Sequence, residues 1–494
     1  MNKQVLMMMG LMPIAFTHVN AQEKPNVVLI FADDMNFSCM SNIGNDVVYT
    51  PNIDQLREEG MYFTHTFNQG GWNGAISAAS RAMMNTGKYL WKAKKRVTQK
   101  EFKSDCKEGP VLWSQYMEKE GYKTYMSGKW HVPISSKEVF NVANHERGGM
   151  PKQTEEGYAF SNKNPKGRKF IQGQEDNWKP YDTRFGGFWE GGTHWSEVLR
   201  EDALSYIEQA SNENKPFFMY LAFNAAHDPR QSPKRCVDMY PPEKIAIPEN
   251  FVPQYPYMNG IGCGPWLRDE KLAPFPRTKY SVQVNRQEYY AIISHMDEQI
   301  GRIIDALKRS GKYDNTYIIF TADHGLAVGD HGFIGKQNMY DASMRVPMII
   351  AGPGIKKGEC NELIYLQDAM ATALDIAGSS HVKDVDYQSL LNLAQGKKDS
   401  KAANEYVYGA YIDLQRMVRS QQYKMIMYPK INIVRLYDVQ KDPNEMNDLA
   451  ANPAYKKVAD KLFKEFKKLQ KETQDELDME PCYQNFFKNK SNVK

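Results

Sequence analysis

Apolar residues along this chain fall into short unbroken runs separated by amphipathic stretches. Val27, Val28, Leu29, Ile30, Phe31 and Ala32 follow one another without a polar interruption, the pattern of a strand buried on both faces. Residues 51–60 open on Pro51 and close on Gly60, which punctuates a helix. Residues 61–67 read as the next strand, 110–121 as a helix, 122–126 as a strand, 196–210 as a helix and 216–223 as a strand. Residues 286–311 carry Ile293, Met296, Ile300, Ile303 and Leu307 as a stripe at helical spacing. Residues 317–320 and 346–351 are further buried strands. Strands alternating with helices predict an α/β fold on a large, mainly parallel mixed sheet sandwiched by helices.

Past about residue 380 the rhythm changes. Residues 406–411, 416–420, 423–428 and 434–437 are short strand-like runs close together, which suits a small antiparallel sheet. Residues 453–477 follow as a charged helix with Val458, Leu462, Phe466 and Leu469 on one side. The first residues differ again: Lys3, an apolar methionine-rich run over 5–16, then the small and polar stretch 18–22. That order is a secretory signal peptide, and the run is too short to span a bilayer. The expected division is therefore a leader at 1–22, an α/β domain at 23–380 and a C-terminal subdomain at 381–494 carrying the small sheet and its helix. The expected location is exported and periplasmic, with no membrane span. Residues 143–195 and 229–285 are long, aromatic-rich and weakly periodic, and loops of that length usually serve function.

Composition adds exclusions. In 494 residues, 41% are hydrophobic and 25% charged, an ordinary globular mix. A net charge of +4 is small for this length and gives no reason for a nucleic-acid partner. The six cysteines are scattered, without the spacing of a zinc site.

Chemistry gathers at strand ends. Asp33 and Asp34 follow the first buried strand, and Asp323 and His324 follow the strand over 317–321. Ligands of open α/β sheets bind beyond the carboxyl ends of strands. If these strands are neighbours, three carboxylates and an imidazole converge, and like charges packed together call for a cation. Mostly oxygen donors favour Ca²⁺ or Mg²⁺ over Zn²⁺. Lys129, His131, His227 and Lys336 fall in similar places and would bind a small tetrahedral oxyanion. Ser77 lies where a loop enters a helix, a position that favours anions or serves as a plain N-cap.

The segment Ser77-Ala78-Ala79-Ser80-Arg81, closing on Thr86-Gly87, resembles the signature of the formylglycine-dependent (type I) sulfatases, of the alkaline phosphatase superfamily. Other stretches resemble the same family in the same order: 26–34, Gly128-Lys129-Trp130-His131, 320–325 with 331–336, and Leu436-Tyr437-Asp438 with Asp442-Pro443, Glu445 and 447–450. The resemblance implies an alkaline-phosphatase-like fold and a sulfuric ester hydrolase with one Ca²⁺ held by Asp33, Asp34, residue 77, Asp323 and His324. It further implies that Ser77 is oxidised to formylglycine, whose hydrate is the nucleophile, by an anaerobic sulfatase-maturating enzyme of the kind that serves serine-type bacterial sulfatases. Arg81 would hold that hydrate, Lys129 and Lys336 the sulfate oxygens. His227 would protonate the leaving alkoxide and His131 deprotonate the remaining hydroxyl. One departure stands out: Ala225-Ala226-His227-Asp228-Pro229 lacks the proline usual before the histidine.

Export and the aromatic loops point to a sulfated carbohydrate, of glycosaminoglycan or mucin type. Trp178, Arg184, Trp189, His194, Trp195 and Arg230 are candidates to line a sugar pocket, since Arg binds carboxylates bidentately. Two rival readings use the same residues: a phosphodiesterase or phosphonate hydrolase on this scaffold, and a non-catalytic sulfoglycan-binding protein in which Ser77 stays serine.

Overall fold

The computed structural model describes residues 24–397 apart from 42, 44–46, 110, 149–167, 169, 175–177, 184–187 and 189–191, together with residues 404–491. The leader, Arg184 and Trp189 lie outside the described residues. In chain order the strands are β1 (Asn26–Ala32), β2 (Met61–Phe67), β3 (Gly70–Gly71), β4 (Lys123–Lys129), β5 (Val142–Arg147), β6 (Phe217–Ala222) and β7 (Thr316–Ala322). They continue as β8 (Arg345–Val346), β9 (Met348–Ala351), β10 (Gly358–Tyr365), β11 (Val407–Tyr411), β12 (Gln415–Arg419), β13 (Tyr423–Tyr428) and β14 (Ile433–Asp438). The helices that matter below are α1 (Pro51–Glu59), α2 (Ile76–Thr86), α3 (Trp195–Ser211), α4 (Lys279–Arg309), α5 (Lys456–Thr473) and α6 (Glu480–Ser491).

The large sheet has nine strands in the order β10-β2-β9-β7-β1-β6-β4-β5, with β8 paired to β2. From β7 to β5 every neighbouring pair is parallel, while β9 runs against both of its neighbours. The apolar run of β1 is wholly buried because β6 and β7 flank it and helices cover the sheet. Its register pairs Ala32 with Ala322, so the residues after β1 and β7 leave the sheet side by side.

Two edge elements escape the apolar pattern. The polar strand β5 and the half-exposed β10 close the two ends of the sheet. Helix α4 begins at Lys279 rather than near 286, because the Thr278 hydroxyl accepts from the Ser281 N–H (3.0 Å) and starts the helix there. The expected helix over 110–121 is shorter, spanning Trp113–Lys119.

The second sheet is β14-β13-β12-β11-β3, antiparallel except that β3 joins β11 in parallel. The expected helix over 453–477 is α5, which ends where Gln474 turns to φ 60°, and a second helix, α6, follows beyond the expected span. Phe463 and Phe466 of α5 pack with Tyr408, Val418 and Met425 of this sheet, and Ala79 and Met83 of α2 join the same cluster. Helix α2 thus stands between the two sheets. Buried Lys424 joins them electrostatically, with its ammonium on Asp341 (2.8 Å) and Glu445 (2.7 Å). All six cysteines are unpaired, and among the described residues no helix is long and apolar enough to cross a membrane.

Candidate active site

The tips of β1 and β7 deliver Asp33, Asp34 and Asp323, all buried, with ligand oxygens within 4.8 Å of one another. Backbone bonds hold the tips in place. Asp323 N–H donates to Ala32 O (3.1 Å), Asp34 N–H to Asp323 Oδ1 (3.1 Å), and Asp33 exchanges N–H···O=C bonds with Ala225 and Ala226. Asp34 adopts φ 62°, and its carbonyl accepts from the Tyr289 hydroxyl (2.6 Å).

Helix α2 brings the next layer. Ser77 is its second residue, and the N-cap is Ala75, so the serine hydroxyl is not spent on capping. It donates to Asp33 Oδ1 (3.3 Å) and accepts from Lys336 Nζ (3.0 Å). One turn on, buried Arg81 donates through Nε to Asp323 Oδ2 (3.0 Å) and through Nη1 to the Lys129 carbonyl (2.6 Å). Its Nη2, 4.0 Å from Asp33 Oδ1, makes no hydrogen bond. The helix ends at Gly87 with φ 64°, where a Cβ would meet Val385 Cγ1 at 2.4 Å, which is why Thr-Gly closes the segment.

Lys129 ends β4 rather than following it, and its ammonium pairs with Asp33. Gly128 makes this approach possible: at φ 94° its Cβ would lie 2.0 Å from the Ala222 carbonyl oxygen. Lys336 pairs with both Asp34 oxygens. Three carboxylates thus face three cations, all six side chains buried. Burial and then Asp323 push Asp33 above the usual carboxylate range. Asp323 goes the other way: burial opposes ionisation, but Arg81 and Lys129 carry it well below. Burial also weakens the Lys129 ammonium, whereas for Lys336 burial is outweighed by Asp34, which holds it charged.

The three histidines are neutral and each keeps one nitrogen available. His324 donates Nδ1–H to the Gly325 carbonyl (2.9 Å), and its buried Nε2 has no partner. Burial pushes it down to about 4. His324 is not in the set meeting within 4.8 Å. His227 donates Nδ1–H to the Asp228 carbonyl (2.7 Å), leaving Nε2 at 3.7 Å from Asp34 Oδ2. It reaches this place without a preceding proline. Burial, then Lys129 and Lys336, hold it well below the usual imidazole range. Burial and then Lys129 push His131 down to about 3, and its Nδ1 is unpartnered.

A model of the family described as Sulfatase matches residues 25–379. The chain belongs to the sulfatase family. It is a sulfuric ester hydrolase. A second model, for the C-terminal part of N-sulphoglucosamine sulphohydrolase, matches residues 329–472. The sulfatase is similar to an N-acetylglucosamine-6-O-sulfatase of Bacteroides thetaiotaomicron, with 27% identity over 92% of this chain and 87% of that one. An arylsulfatase of Clostridium perfringens is 28% identical over 89% of this chain and 93% of its own length. A solved structure in complex with its substrate D-glucosamine-2-N,6-O-disulfate superposes with a TM-score of 0.70 at 22% identity, covering 93% of this chain and all of that one. That likeness carries the fold.

The expected sugar-pocket residues divide differently. His194 caps α3: Nδ1 accepts from the Ser196 N–H (3.0 Å) while Nε2–H donates to the Gln231 carbonyl (2.9 Å). Both ring nitrogens are thus engaged within the protein. Trp178 is buried and donates Nε1–H to Glu288 (3.0 Å). Trp195 is buried under the Arg147 guanidinium at 5.1 Å. Arg230 is buried over Tyr289 and donates to Asn285 Oδ1 (2.9 Å). These four are packed, not displayed.

Sequence reasoning missed what links the two sides of the site in the sulfatase. Arg268 pairs with Asp228, beside His227, and with Asp269. Asp269 in turn accepts from Gln337 Nε2 (2.6 Å), the neighbour of Lys336. Asp228 was adjacent to a named histidine; Arg268 and Asp269 sit in an irregular loop that no spacing singled out.

Proposed function

We propose that this sulfatase removes sulfate from carbohydrates outside the cytoplasm, using formylglycine made from Ser77 and one bound Ca²⁺. The observation that carries the reading is the Ser77 hydroxyl, held between Asp33 and Lys336 rather than capping its helix. The donor set fits a hard divalent cation: three convergent carboxylates, residue 77, and a neutral His324 with an open, buried Nε2. When bound, such a cation supplies Lewis acidity and the oxidised residue 77 supplies a hydrated aldehyde as nucleophile.

The chain's own residues do the rest. Lys129 and Lys336 leave their carboxylates to hold sulfate oxygens, and the free Nη2 of Arg81 holds residue 77. His131, neutral and open at Nδ1, accepts a proton from residue 77. His227 donates one to the leaving oxygen. Burial is the first cause that keeps His227 neutral, and a sulfate drawn onto Lys129 and Lys336 offsets the two positive charges that add to it, which favours uptake of the proton that His227 then gives. Three cations balance three carboxylates before any metal or substrate enters. The carbohydrate reading is supported by the relative that acts on N-acetylglucosamine-6-O-sulfate by name. Export rests on the leader pattern, and the oxidation on a maturase acting on residue 77.

The test is sulfate release from a panel of sulfated mono- and disaccharides, with mass spectrometry of the residue-77 peptide from protein made beside a maturase. Ser77→Ala should fold, bind Ca²⁺ and release no sulfate. Turnover retained in that variant, or an unmodified serine in fully active protein, removes the mechanism. Faster hydrolysis of an aryl phosphodiester or phosphonate monoester than of the matched aryl sulfate would favour the phosphodiesterase or phosphonate hydrolase reading.

A further inference from the structure

A cavity of about 470 Å³ lies between the segment leading into α2 and the C-terminal subdomain, a size that accepts a sugar unit. Trp72 and Trp91 line it, with Lys94, Asp413, Arg416 and Gln474 around them. None of these residues belongs to the catalytic set.

All but one of its charges are paired within the protein; the exception, the Lys94 ammonium, stands over the Trp91 ring at 5.5 Å. Arg416 is buried and clamps Asp475 through Nε (2.7 Å) and Nη2 (2.9 Å). Lys95 pairs with Glu476 (3.0 Å) and Asp413 with Lys430 (2.6 Å). The lining itself holds three cations and three carboxylates, so its formal charge is zero. What remains is aromatic. Trp91 donates its N–H to the Tyr408 hydroxyl (2.9 Å) and lies under Arg416 at 5.2 Å, so its ring is fixed. Trp72 is half-buried and presents the rest of its ring. The open part of the Trp72 ring, beside a polar rim, matches a neutral pyranose, which is apolar on one face and polar at its edge.

The position relative to the site is rigid. Trp72 follows β3, which is paired in register with β11, and the Ile412 N–H donates to Gly71 O (2.9 Å). Ser77 lies five positions after Trp72, at most about 17 Å of extended chain. The exposed tip 73–75 lies between them.

We infer that this cavity is a subsite for an uncharged sugar ring of the same oligosaccharide whose sulfate is removed at Ser77. It rests on the carbohydrate reading above, and it makes the enzyme prefer chains to monosaccharides.

The test compares N-acetylglucosamine 6-sulfate with a tetrasaccharide of alternating galactose and N-acetylglucosamine bearing that sulfated sugar at its non-reducing end. Activity on 4-nitrophenyl sulfate is the control. Wild-type enzyme should show at least tenfold higher kcat/KM on the tetrasaccharide. Trp72→Ala should erase that preference through KM while monosaccharide and aryl sulfate rates hold, and Trp72→Phe should keep most of it. The unsulfated tetrasaccharide should quench tryptophan fluorescence of the Ser77→Ala protein, and Trp72→Ala should weaken that binding tenfold. Equal kcat/KM on both sugars, or a preference unchanged in Trp72→Ala, overturns the subsite and leaves the carbohydrate reading standing. Aryl sulfate hydrolysis with neither sugar turned over sinks the carbohydrate reading and the subsite with it.

Discussion

Replacing Lys424 with methionine tests how the C-terminal sheet is fastened to the catalytic domain. The Lys424 ammonium has no exposed surface and sits 2.8 Å from Asp341 and 2.7 Å from Glu445. Glu445 also accepts the Asp341 N–H (2.8 Å), and Arg419 reaches Asp341 at 3.4 Å. Removing one partner of a buried ion pair leaves the other charge uncompensated, at about 3–5 kcal/mol. The loss depends on pH. Burial, opposed by Lys424, pushes Glu445 up to about 7. A carboxyl that binds its proton more tightly in the folded state favours folding below its unfolded pKa, and that contribution is lost as pH rises through the folded value. At pH 5, folded Glu445 is protonated and does not need the ammonium; at pH 8 it is ionised and does. Lys424→Met should therefore cost about 3–5 kcal/mol at pH 8 and roughly half that at pH 5. Urea unfolding at both pH values, followed by fluorescence and circular dichroism, reads the difference. Adding Glu445→Gln should flatten the pH dependence. A deficit equal at the two pH values, or under about 1 kcal/mol at pH 8, refutes the account.

Chelation should abolish sulfate release, with Ca²⁺ restoring it, and should lower Tm; saturation at 100 times Kd is worth about 2.7 kcal/mol. Activity and Tm both untouched by exhaustive chelation would exclude the metal. Gly128→Ala should lose several kcal/mol and most activity together, because a Cβ there meets the Ala222 carbonyl oxygen at 2.0 Å; thermal unfolding beside a kinetic assay checks both. His194→Ala should cost about 1 kcal/mol through the lost helix cap while KM for any sulfated sugar stays level. A raised KM without loss of stability would return His194 to the sugar pocket.

What could be read ahead of the structure follows from burial. Residues 27–32 and 317–320 announce central strands because both faces are covered and every position is apolar. Asp33, Asp34 and Asp323 then stand out as charges at the ends of such runs, and the Ala32–Ala322 register brings them together. Strands β5 and β10 hide because an edge strand is half in solvent and its sequence is mixed. Two glycines cannot announce β3, whose partner lies more than 300 residues away. Aromatic and charged loop residues misled for one reason: sequence shows that His194 and Trp178 are polar or large, not whether the protein itself takes up their hydrogen bonds.

Ser77 is 3% exposed, sits inside a helix, and is walled in on the far side of α2 by strands made much later. An enzyme that must grip an extended stretch of backbone to oxidise this residue has no handle on the finished molecule. About 340 residues of synthesis separate β3 from the strand that seals it, roughly 17–70 s at a typical elongation rate. On the oxidation proposed above, activation is tied to birth: a chain that closes unmodified stays inert unless it unfolds.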